Sequence, residues 1–480
     1  MDRKIFERPW KFRRGRREAR RQLRLCIFCL AFFILLVLGA VGYHVTLEPE
    51  AFNVPPGSVA VFSSENLPAA RIPVDIATIF VSIAAFRDKE CITTLESLFK
   101  RAKYPLRVFL GISEERFETD VSCINSPEVL NSIGVRRSRT MRWKDLIPFA
   151  YDEGSLQKHP NRTPVLHERR DEDIITCLLS ADASDAPTSS GESMLSGCQV
   201  ITRLGHPDDA RGPTYGRYIT SLFYNNQDYY MVIDSHSRFV PSWDVKMIER
   251  ARLMPTRGVL SHYPNGYTPE APDAEINKSD VMCMCKGVIL PDNIPKLGAR
   301  WIAIRGHPVL QGFVAAGYIF GDAQYVRDVP FDPYLPFLFD GEEILYTVRL
   351  WTHGWDSYSP ATALVYHNYM RVHAPRFFSV ITRPGAKEHR ELEHQTSIQR
   401  VLYFLKRRVL NTTQLIVTDD EAHRRNPAIV REEARFGMGK LRSLADYWEF
   451  VELSDAFLKE KDDEGRWKGG EGLCEKAYIS

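Results

Sequence analysis

The sequence predicts an α/β fold, and three stretches support this prediction. Thr78 to Ala85 is an apolar run with the length of a buried strand, and Asp88 is suited to cap the helix that follows it. Leu106 to Ile112 reads as a second strand, which makes a β-α-β unit with a parallel pair and a right-handed crossover. Tyr229 to Ile233 suits a strand that is buried on both faces. The fold is therefore α/β from its first elements.

The composition bounds the class of protein. With 480 residues, 44% hydrophobic and 26% charged, the chain can bury one large domain or two moderate ones, and it is not a disordered protein. Residues 1–24 hold eleven of the 63 Lys and Arg residues but three of the 61 acidic ones. The remainder is mildly acidic, which argues against a nucleic-acid partner.

An uncharged segment follows the basic tail of residues 1–24. Leu25 to Val45 is 21 residues long without Asp, Glu, Lys or Arg, enough to cross the roughly 30 Å hydrocarbon core as a helix. Under the positive-inside rule the tail stays cytosolic and the rest is lumenal. A cleaved signal peptide is the alternative, but no small-residue cleavage site stands out. We therefore expect a type II signal anchor at residues 25–45.

Sequons and cysteines agree with a lumenal compartment. Asn161, Asn277 and Asn411 each begin an Asn-x-Ser/Thr sequon on the predicted lumenal side. Seven of the nine cysteines lie beyond the anchor, so at least one thiol is free or pairs between chains while the others can form disulfides. A zinc site at Cys283 and Cys285 is disfavoured, because the spacing is one residue and no second pair follows.

The remaining regions are assigned by composition. Residues 46–74 contain several prolines without periodicity and read as a stem. One large α/β domain is expected over residues 75–385, with a polar surface insertion at about 150–203. Residues 386–480 show helical spacing and are predicted to form a helical C-terminal extension.

Two metal-capable side chains end the buried strand at Tyr229 to Ile233. Asp234 and His236 are two residues apart, so in an extended chain they point the same way and can converge on one cation. Ligands of open α/β sheets also collect at the carboxyl ends of strands. The alternative is that Asp234 caps the next turn and His236 is a loop residue.

Two arginines precede this strand. Gly212 and Pro213 can start a helix, and Arg211 at its start and Arg217 one turn later are placed to meet an anion. The alternative is that both are surface residues paired with Asp208 or Asp209. An adjacent cation site and basic donors together suit a diphosphate.

Further acidic and histidine candidates lie downstream. Asp340, Glu342 and Glu343 stand at the start of a predicted helix, where carboxylates are also favoured simply as caps. His367 ends a short strand and is a candidate third metal ligand. His353 and His373 remain alternatives.

Seven motifs follow one another along the chain: Ile79–Asp88, Ala210–Pro213, Asp228–His236, Arg238–Asp244, Val329–Glu343, Tyr366–Tyr369 and Phe436–Tyr447. In sequence and in order they resemble the polypeptide N-acetylglucosaminyltransferases of protists. The resemblance covers about residues 77–450.

The resemblance implies a GT-A fold, a Rossmann-like nucleotide-diphospho-sugar transferase domain, with UDP-GlcNAc as donor and Mn²⁺ or another divalent cation. It implies retention of configuration, giving α-GlcNAc. It assigns Asp234, His236 and His367 to the metal. It assigns the donor to Ala84, Phe86, Arg87, Arg211, Arg217 and Asp234, and the sugar or acceptor side to Asp340, Glu342 and Glu343.

The expected acceptor is a hydroxyl group of a polypeptide or glycoprotein, on Ser, Thr or hydroxyproline. Because the anchor makes a cytosolic acceptor unsuitable, Ser or Thr of secretory proteins in the Golgi is favoured. Alternatives are another UDP-sugar, a catalytically silent membrane-anchored lectin or scaffold, and, more remotely, a metallophosphoesterase.

Overall fold

The architecture is taken from a computed structural model, which describes residues 55, 57–58, 68–132, 134–142, 173–180, 197–270, 280–371, 374–378, 387–407 and 427–479. The strands in these ranges are β1 Ile79–Phe86, β2 Val108–Glu115, β3 Val135–Arg142, β4 Ile174–Ser180, β5 Cys198–Gly205, β6 Tyr229–Asp234, β7 Ser237–Phe239, β8 Gly258–Ser261, β9 Asn265–Gly266, β10 Asp280–Ile289, β11 Pro295–Ala303, β12 Val309–Gln311, β13 Tyr318–Asp322, β14 Asp356–Ser359, β15 Val365–His367, β16 Glu460–Lys461 and β17 Trp467–Gly469.

Helices connect and cover these strands. The α-helices of the described residues are α1 Cys91–Arg101, α2 Pro127–Ser132, α3 Pro213–Ser221, α4 Trp243–Arg252, α5 Gln324–Asp328, α6 Glu342–Thr352, α7 Lys387–Leu405, α8 Glu433–Phe436, α9 Leu444–Phe450 and α10 Glu471–Ile479. Short 3₁₀ helices span Pro68–Arg71, Pro105–Arg107 and Pro207–Asp209.

A ten-stranded sheet lies at the centre of the described structure, in the order β12-β14-β8-β13-β6-β1-β2-β5-β4-β3. Strand β1 is parallel to both of its neighbours, β2 and β6, and β2 is parallel to β5. The predicted β-α-β unit and the mixed α/β class are therefore confirmed. Residues 229–233 of β6 are at most 2% exposed, as expected for a strand covered on both faces.

The pairing of β1 and β6 determines where the chain can build a site. Ala84 lies opposite Asp234, so the carboxyl ends of the two strands meet. A small sheet of β7, β15 and β9 stands next to this edge, and within it His367 pairs with Ser237. Strands β1 and β15, which are distant from β6 in the sequence, therefore both end near the carboxyl end of β6.

Helix α3 packs over this edge of the sheet. As predicted, it begins at Pro213 after Gly212, whose φ of +97° suits glycine. A Cβ atom at Gly216 would come within 2.7 Å of the Cβ of Ala84, so the helix can approach β1 closely because residue 216 has no side chain. The helix predicted at the downstream acids is also present as α6, and Gly354 after its end has a φ of +82°, which suits glycine.

Part of the predicted polar insertion belongs to the central sheet. Strands β4 and β5 run antiparallel to each other, and β5 pairs with β2. The expectation that all of residues 150–203 form a surface insertion is therefore wrong. The apolar run at residues 174–179 is short and flanked by charged and polar segments, which concealed it. Residues 143–172 and 181–196 lie outside the described residues.

The C-terminal region is helical only in part. Helices α7 to α10 fall in it, but β16 and β17 do as well, and β17 pairs with β10 of a four-stranded sheet. A disulfide joins Cys285 of β10 to Cys474 of α10. The described residues after 386 therefore pack into the same domain as those before them.

The described part of the predicted stem contacts the domain. The backbone N–H of Ala69 donates to Asp322 at 3.0 Å, and Arg442 donates to Ser58 at 3.3 Å. The predicted tail, the anchor and the three sequon asparagines lie outside the described residues. Among the residues that are described, none of the helices is both long and apolar enough to cross a membrane.

The seven cysteines beyond the predicted anchor form three disulfides and leave one free thiol, as their odd number requires. Disulfides join Cys91 to Cys123, Cys177 to Cys198 and Cys285 to Cys474, and Cys283 is a buried free thiol. Because Cys285 is oxidised, it cannot pair with Cys283 in a zinc site.

We expect non-reducing peptide mapping to recover these three disulfides. Cys283 should resist a thiol reagent in the folded protein and react after denaturation, because its side chain is buried. Mass spectrometry of alkylated peptides measures both. Fast native labelling of Cys283, or its recovery in a disulfide, would contradict the pairing.

Candidate functional site

Three predicted metal ligands come together at the carboxyl end of β6. One ligand atom from each of Asp234, His236 and His367 lies within 4.8 Å of the others. His367 Nε2 is 3.2 Å from Asp234 Oδ2, and the two imidazole rings are 4.5 Å apart at their centroids. The alternative His353 hydrogen-bonds the carbonyl of Arg349 at the end of α6 instead, and His373 lies outside the described residues.

The triad of Asp234, His236 and His367 fits a divalent cation by its donor set and by two further structural observations. One carboxylate and two imidazoles form a mixed oxygen and nitrogen donor set, which suits first-row divalent metals. A Cβ atom at Gly317 would approach Asp234 Oδ2 to 2.7 Å, so only glycine leaves the carboxylate its room. Within the described part of the chain, the buried Nδ1 of His367 has no hydrogen-bond partner. The residues present therefore can hold a metal.

The protonation states also suit a metal. Burial alone would raise the pKa of Asp234, but the hydrogen bond with His367 and the charge of Arg217 outweigh it and hold that pKa well below its usual range. Burial lowers the pKa of His367 despite the neighbouring carboxylate. Ionised carboxylate and neutral imidazole are the forms that coordinate metals.

Asp88 is a site residue that the sequence reading missed. It was expected to cap α1, but the N-cap is Glu90, and Asp88 Oδ1 accepts only the Glu90 N–H there. Asp88 Oδ2 contacts His236 Nδ1 at 2.8 Å and accepts from the Ser235 hydroxyl at 2.5 Å. The signal that could have identified Asp88 is its position two residues after the end of β1. Using that signal requires knowing that β1 pairs with β6, which sequence spacing alone does not show.

Arg217 lies between two carboxylates. Its Nη2 is 3.1 Å from Asp234 Oδ1 and its Nη1 is 2.5 Å from Glu342 Oε1, and the side chain is 5% exposed. The alternative of a surface arginine paired with Asp208 or Asp209 is wrong. Arg217 joins the metal triad to the start of α6, where the predicted catalytic acids stand.

The other two acids at the start of α6 have different surroundings. Glu343 accepts from the Ala316 N–H at 2.9 Å and from the Tyr263 hydroxyl at 2.8 Å, and neither partner carries a positive charge. Burial therefore raises its pKa to about 7. Asp340 is partly exposed and lies 3.6 Å from Lys296 Nζ.

A cleft of about 650 Å³ opens over these groups. Its walls include the triad, Arg217 and the three acids of the α6 start, together with Ala84 and Phe86 of the predicted donor residues. That volume is ample for a nucleotide-sized ligand.

Two predicted donor arginines have other contacts. Arg87 forms an ion pair with Asp120 at 2.7 Å, and Arg211 lies 3.7 Å from Glu393. Neither is among the described residues that line the cleft. Arg371, which the sequence reading did not select, does line it, four residues after His367. Its role could have been suspected from the adjacent Tyr366–Tyr369 motif.

The family follows from a comparison with protein-family models. The model described as Glycosyltransferase (GlcNAc) matches residues 78–457. This range includes the triad, the acids of α6 and most of the sheet. The protein is thus of the glycosyltransferase class, and the chain belongs to the Glycosyltransferase (GlcNAc) family. The predicted enzyme class is confirmed at this level.

Solved structures give weaker similarities. One is the crystal structure of GalNAc-T7 with UDP, GalNAc and Mn²⁺, at 11% identity and a TM-score of 0.40, covering 80% of this chain and 57% of that chain. The chain thus spans less than two thirds of that protein. Another is mannosyltransferase PcManGT from Pyrobaculum calidifontis in complex with GDP-Man and Mn²⁺, at 8% identity and a TM-score of 0.30, covering 69% and 68%. No curated protein sequence matches the chain.

The raised pKa of Glu343 predicts a pH-dependent stability. Relative to an unfolded pKa of 4.5, protonated Glu343 favours folding below that value, and this contribution is lost as the pH rises through about 7. Glu343→Gln resembles the protonated form. Going from about pH 5 to about pH 8, we expect the variant to gain about 2 kcal/mol of unfolding free energy relative to wild type.

Denaturant unfolding of both proteins at the two pH values measures this gain. Glu449→Gln, an exposed change of the same type, is the control for the substitution itself. A stability difference between wild type and Glu343→Gln that stays constant across this pH range would contradict the assignment.

Proposed function

We propose that the protein is a retaining GT-A glycosyltransferase that moves GlcNAc from UDP-GlcNAc to a hydroxyl of a polypeptide. It would be a member of the subgroup of protist polypeptide N-acetylglucosaminyltransferases, forming an α linkage. The observation that carries the proposal is that the triad and the acids of α6 line the same cleft, at the carboxyl ends of β1 and β6. A cation site and polar groups beside an apolar wall suit a sugar nucleotide, because the cation can offset the charge of the departing diphosphate.

The protein's own groups have distinct tasks in this proposal. A divalent cation bound by the triad would offset the negative charge on the departing diphosphate. Arg217 keeps Asp234 ionised and holds the Glu342 carboxylate in place. Ala84 and Phe86 form the wall that meets the nucleoside. No strong base is required, because the acceptor hydroxyl attacks from the same face as the leaving group, whose diphosphate can take the proton.

An aromatic row supports a polypeptide acceptor. Phe86 contacts Phe377, Phe377 contacts Phe378, and Phe378 contacts Phe339, with ring centroids 5.2 to 5.9 Å apart. Phe339 and Phe378 are 56% and 41% exposed, although large apolar side chains are usually covered. The row leads from the cleft to its rim. It offers an apolar surface to the residues that flank an acceptor hydroxyl.

The proposed location is the Golgi lumen, behind a type II anchor at residues 25–45. Three disulfides favour an oxidising compartment. In that compartment Ser or Thr of a secretory protein is the favoured acceptor, with hydroxyproline as the alternative.

Asp234→Asn tests the metal and donor assignments. Replacing one charged ligand should lower Mn²⁺-dependent transfer from UDP-GlcNAc on the order of 100-fold or more, since a bound metal contributes several kcal/mol to the transition state. Mass spectrometry of acceptor peptides and release of UDP measure the loss. Asp446→Asn is the matched control, because Asp446 is exposed on α9 and is not among the described residues that line the cleft.

Other outcomes separate the alternatives. Turnover of a different UDP-sugar, with UDP-GlcNAc ignored, would reject the donor and keep the class. Equal glycan binding by wild type and Asp234→Asn, with no UDP released by either, would instead indicate a silent lectin.

Phe339→Ala and Phe378→Ala test the acceptor surface. Each should lower transfer to peptides by about 5-fold, because an aromatic contact of about 1 kcal/mol is lost, while hydrolysis of UDP-GlcNAc in the absence of acceptor is unchanged. Phe457→Ala removes a comparably exposed ring outside the described cleft lining and serves as the control. An equal fall in hydrolysis and transfer would show that the rings serve the donor or the fold.

A further inference from the structure

The Asp88 carboxylate is buried and has more polar partners than a helix start requires. Its side chain is 3% exposed. Oδ1 accepts the Glu90 N–H at 3.0 Å, which satisfies the start of α1. Oδ2 accepts the Ser235 hydroxyl at 2.5 Å and lies 2.8 Å from His236 Nδ1 and 3.2 Å from Arg371 Nη2. Three donors from two distant segments therefore meet at one oxygen.

The contact with His236 determines which ring nitrogen faces the cation. When Nδ1 carries the proton that it donates to Asp88, Nε2 is left unprotonated. Histidine ligands of metals are usually held in this way by a carboxylate or carbonyl, which orients the ring and increases its basicity. Ser235 binds the same oxygen and lies between the ligands Asp234 and His236 in the chain. Asp88 thus holds the His236 ring through Nδ1.

Asp88 also forms an ion pair with Arg371, a second side chain of the cleft. Arg371 lines the cleft and lies close to the triad, because it binds the carboxylate that also binds His236. In the part of the chain that the structure describes, its buried Nε has no hydrogen-bond partner. A guanidinium held by one nitrogen keeps the rest of its planar fork for an anion.

The three arginines that were predicted for the donor already have acidic neighbours. Arg217 is held by Asp234 and Glu342, Arg87 by Asp120, and Arg211 lies beside Glu393. Among the described residues, Arg371 forms its ion pair through Nη2, with the Asp88 carboxylate that also binds His236 and Ser235. It is therefore the better placed group for an anion beside the triad.

We propose that Asp88 is a positioning residue that holds His236 for the divalent cation and Arg371 for the diphosphate of the donor. This inference rests on the proposed metal-dependent use of a sugar nucleotide. One buried carboxylate then links the two groups that must act together on the same diphosphate. In this proposal Asp88 itself contacts neither the cation nor the diphosphate.

The test begins with Mn²⁺ binding to the full chain without nucleotide. Asp88→Asn should weaken Mn²⁺ binding by about 10- to 100-fold, as loss of such a supporting partner does. Titration followed by electron paramagnetic resonance measures the free ion. Pulsed measurements on the bound ion should show nitrogen couplings from two histidines in wild type and a weakened or missing second coupling in Asp88→Asn. Asp120→Asn, which removes a carboxylate partner of Arg87 but contacts none of the triad, is the matched control and should bind Mn²⁺ as wild type does.

A double-mutant cycle separates positioning from folding. His236→Ala should weaken Mn²⁺ binding, and adding Asp88→Asn to it should cost no further Mn²⁺ affinity, because the residue that Asp88 orients is gone. A purely structural role would add its cost in both backgrounds. If Asp88→Asn does not fold, Ser235→Ala, which removes one donor to the same oxygen, should give a smaller loss in the same direction. Wild-type affinity in that variant would overturn the proposal.

Arg371 is tested with UDP. Arg371→Ala should bind Mn²⁺ alone as wild type does, but should bind UDP in the presence of saturating Mn²⁺ at least about 10-fold more weakly, a change that calorimetry detects. Unchanged UDP binding would overturn the Arg371 part. If wild type binds neither Mn²⁺ nor UDP, the proposed function fails. If wild type binds both and Asp88→Asn matches it, only the inference about Asp88 fails.

Discussion

The parallel pairing of β1 with β6 is the constraint on which the site depends. Because Ala84 lies opposite Asp234, both strands end at the same edge of the sheet, and the residues that follow each strand meet there. Asp88 after β1 can then reach His236 after β6. A slip of one residue would turn every side chain of the strand to the opposite face and separate these groups. The buried apolar residues of β6 therefore maintain the register that the site needs.

Charge balance is the second condition of the cleft. Several carboxylates lie close together, and each buried one needs compensation. Asp234 and Glu342 share Arg217, and Asp88 has Arg371 and His236. Glu343 has only neutral donors, which is why burial moves its pKa close to neutrality. The cleft therefore keeps Asp234 and Asp88 ionised, whereas Glu343 can gain or lose a proton near neutral pH.

Local patterns predicted the elements whose signals are contained in short stretches. The β-α-β unit, β6, the Pro213 helix start and the α6 helix all follow from apolar spacing and capping residues. The errors fall where local signals were weak or mixed. Strand β4 was hidden between polar segments, and β16 and β17 are two and three residues long and depend on pairing with β10.

The sequence by itself determined the α/β class, the buried strand that ends in Asp234 and His236, and the acids at the start of α6, because each is a property of neighbouring residues. Only the tertiary structure decided which distant groups join them. His367 reaches the triad through β15, Arg217 contacts two carboxylates, and Asp88 binds His236 in addition to the start of α1. Strand order and side-chain direction decide these contacts. Neither is readable from spacing along one chain.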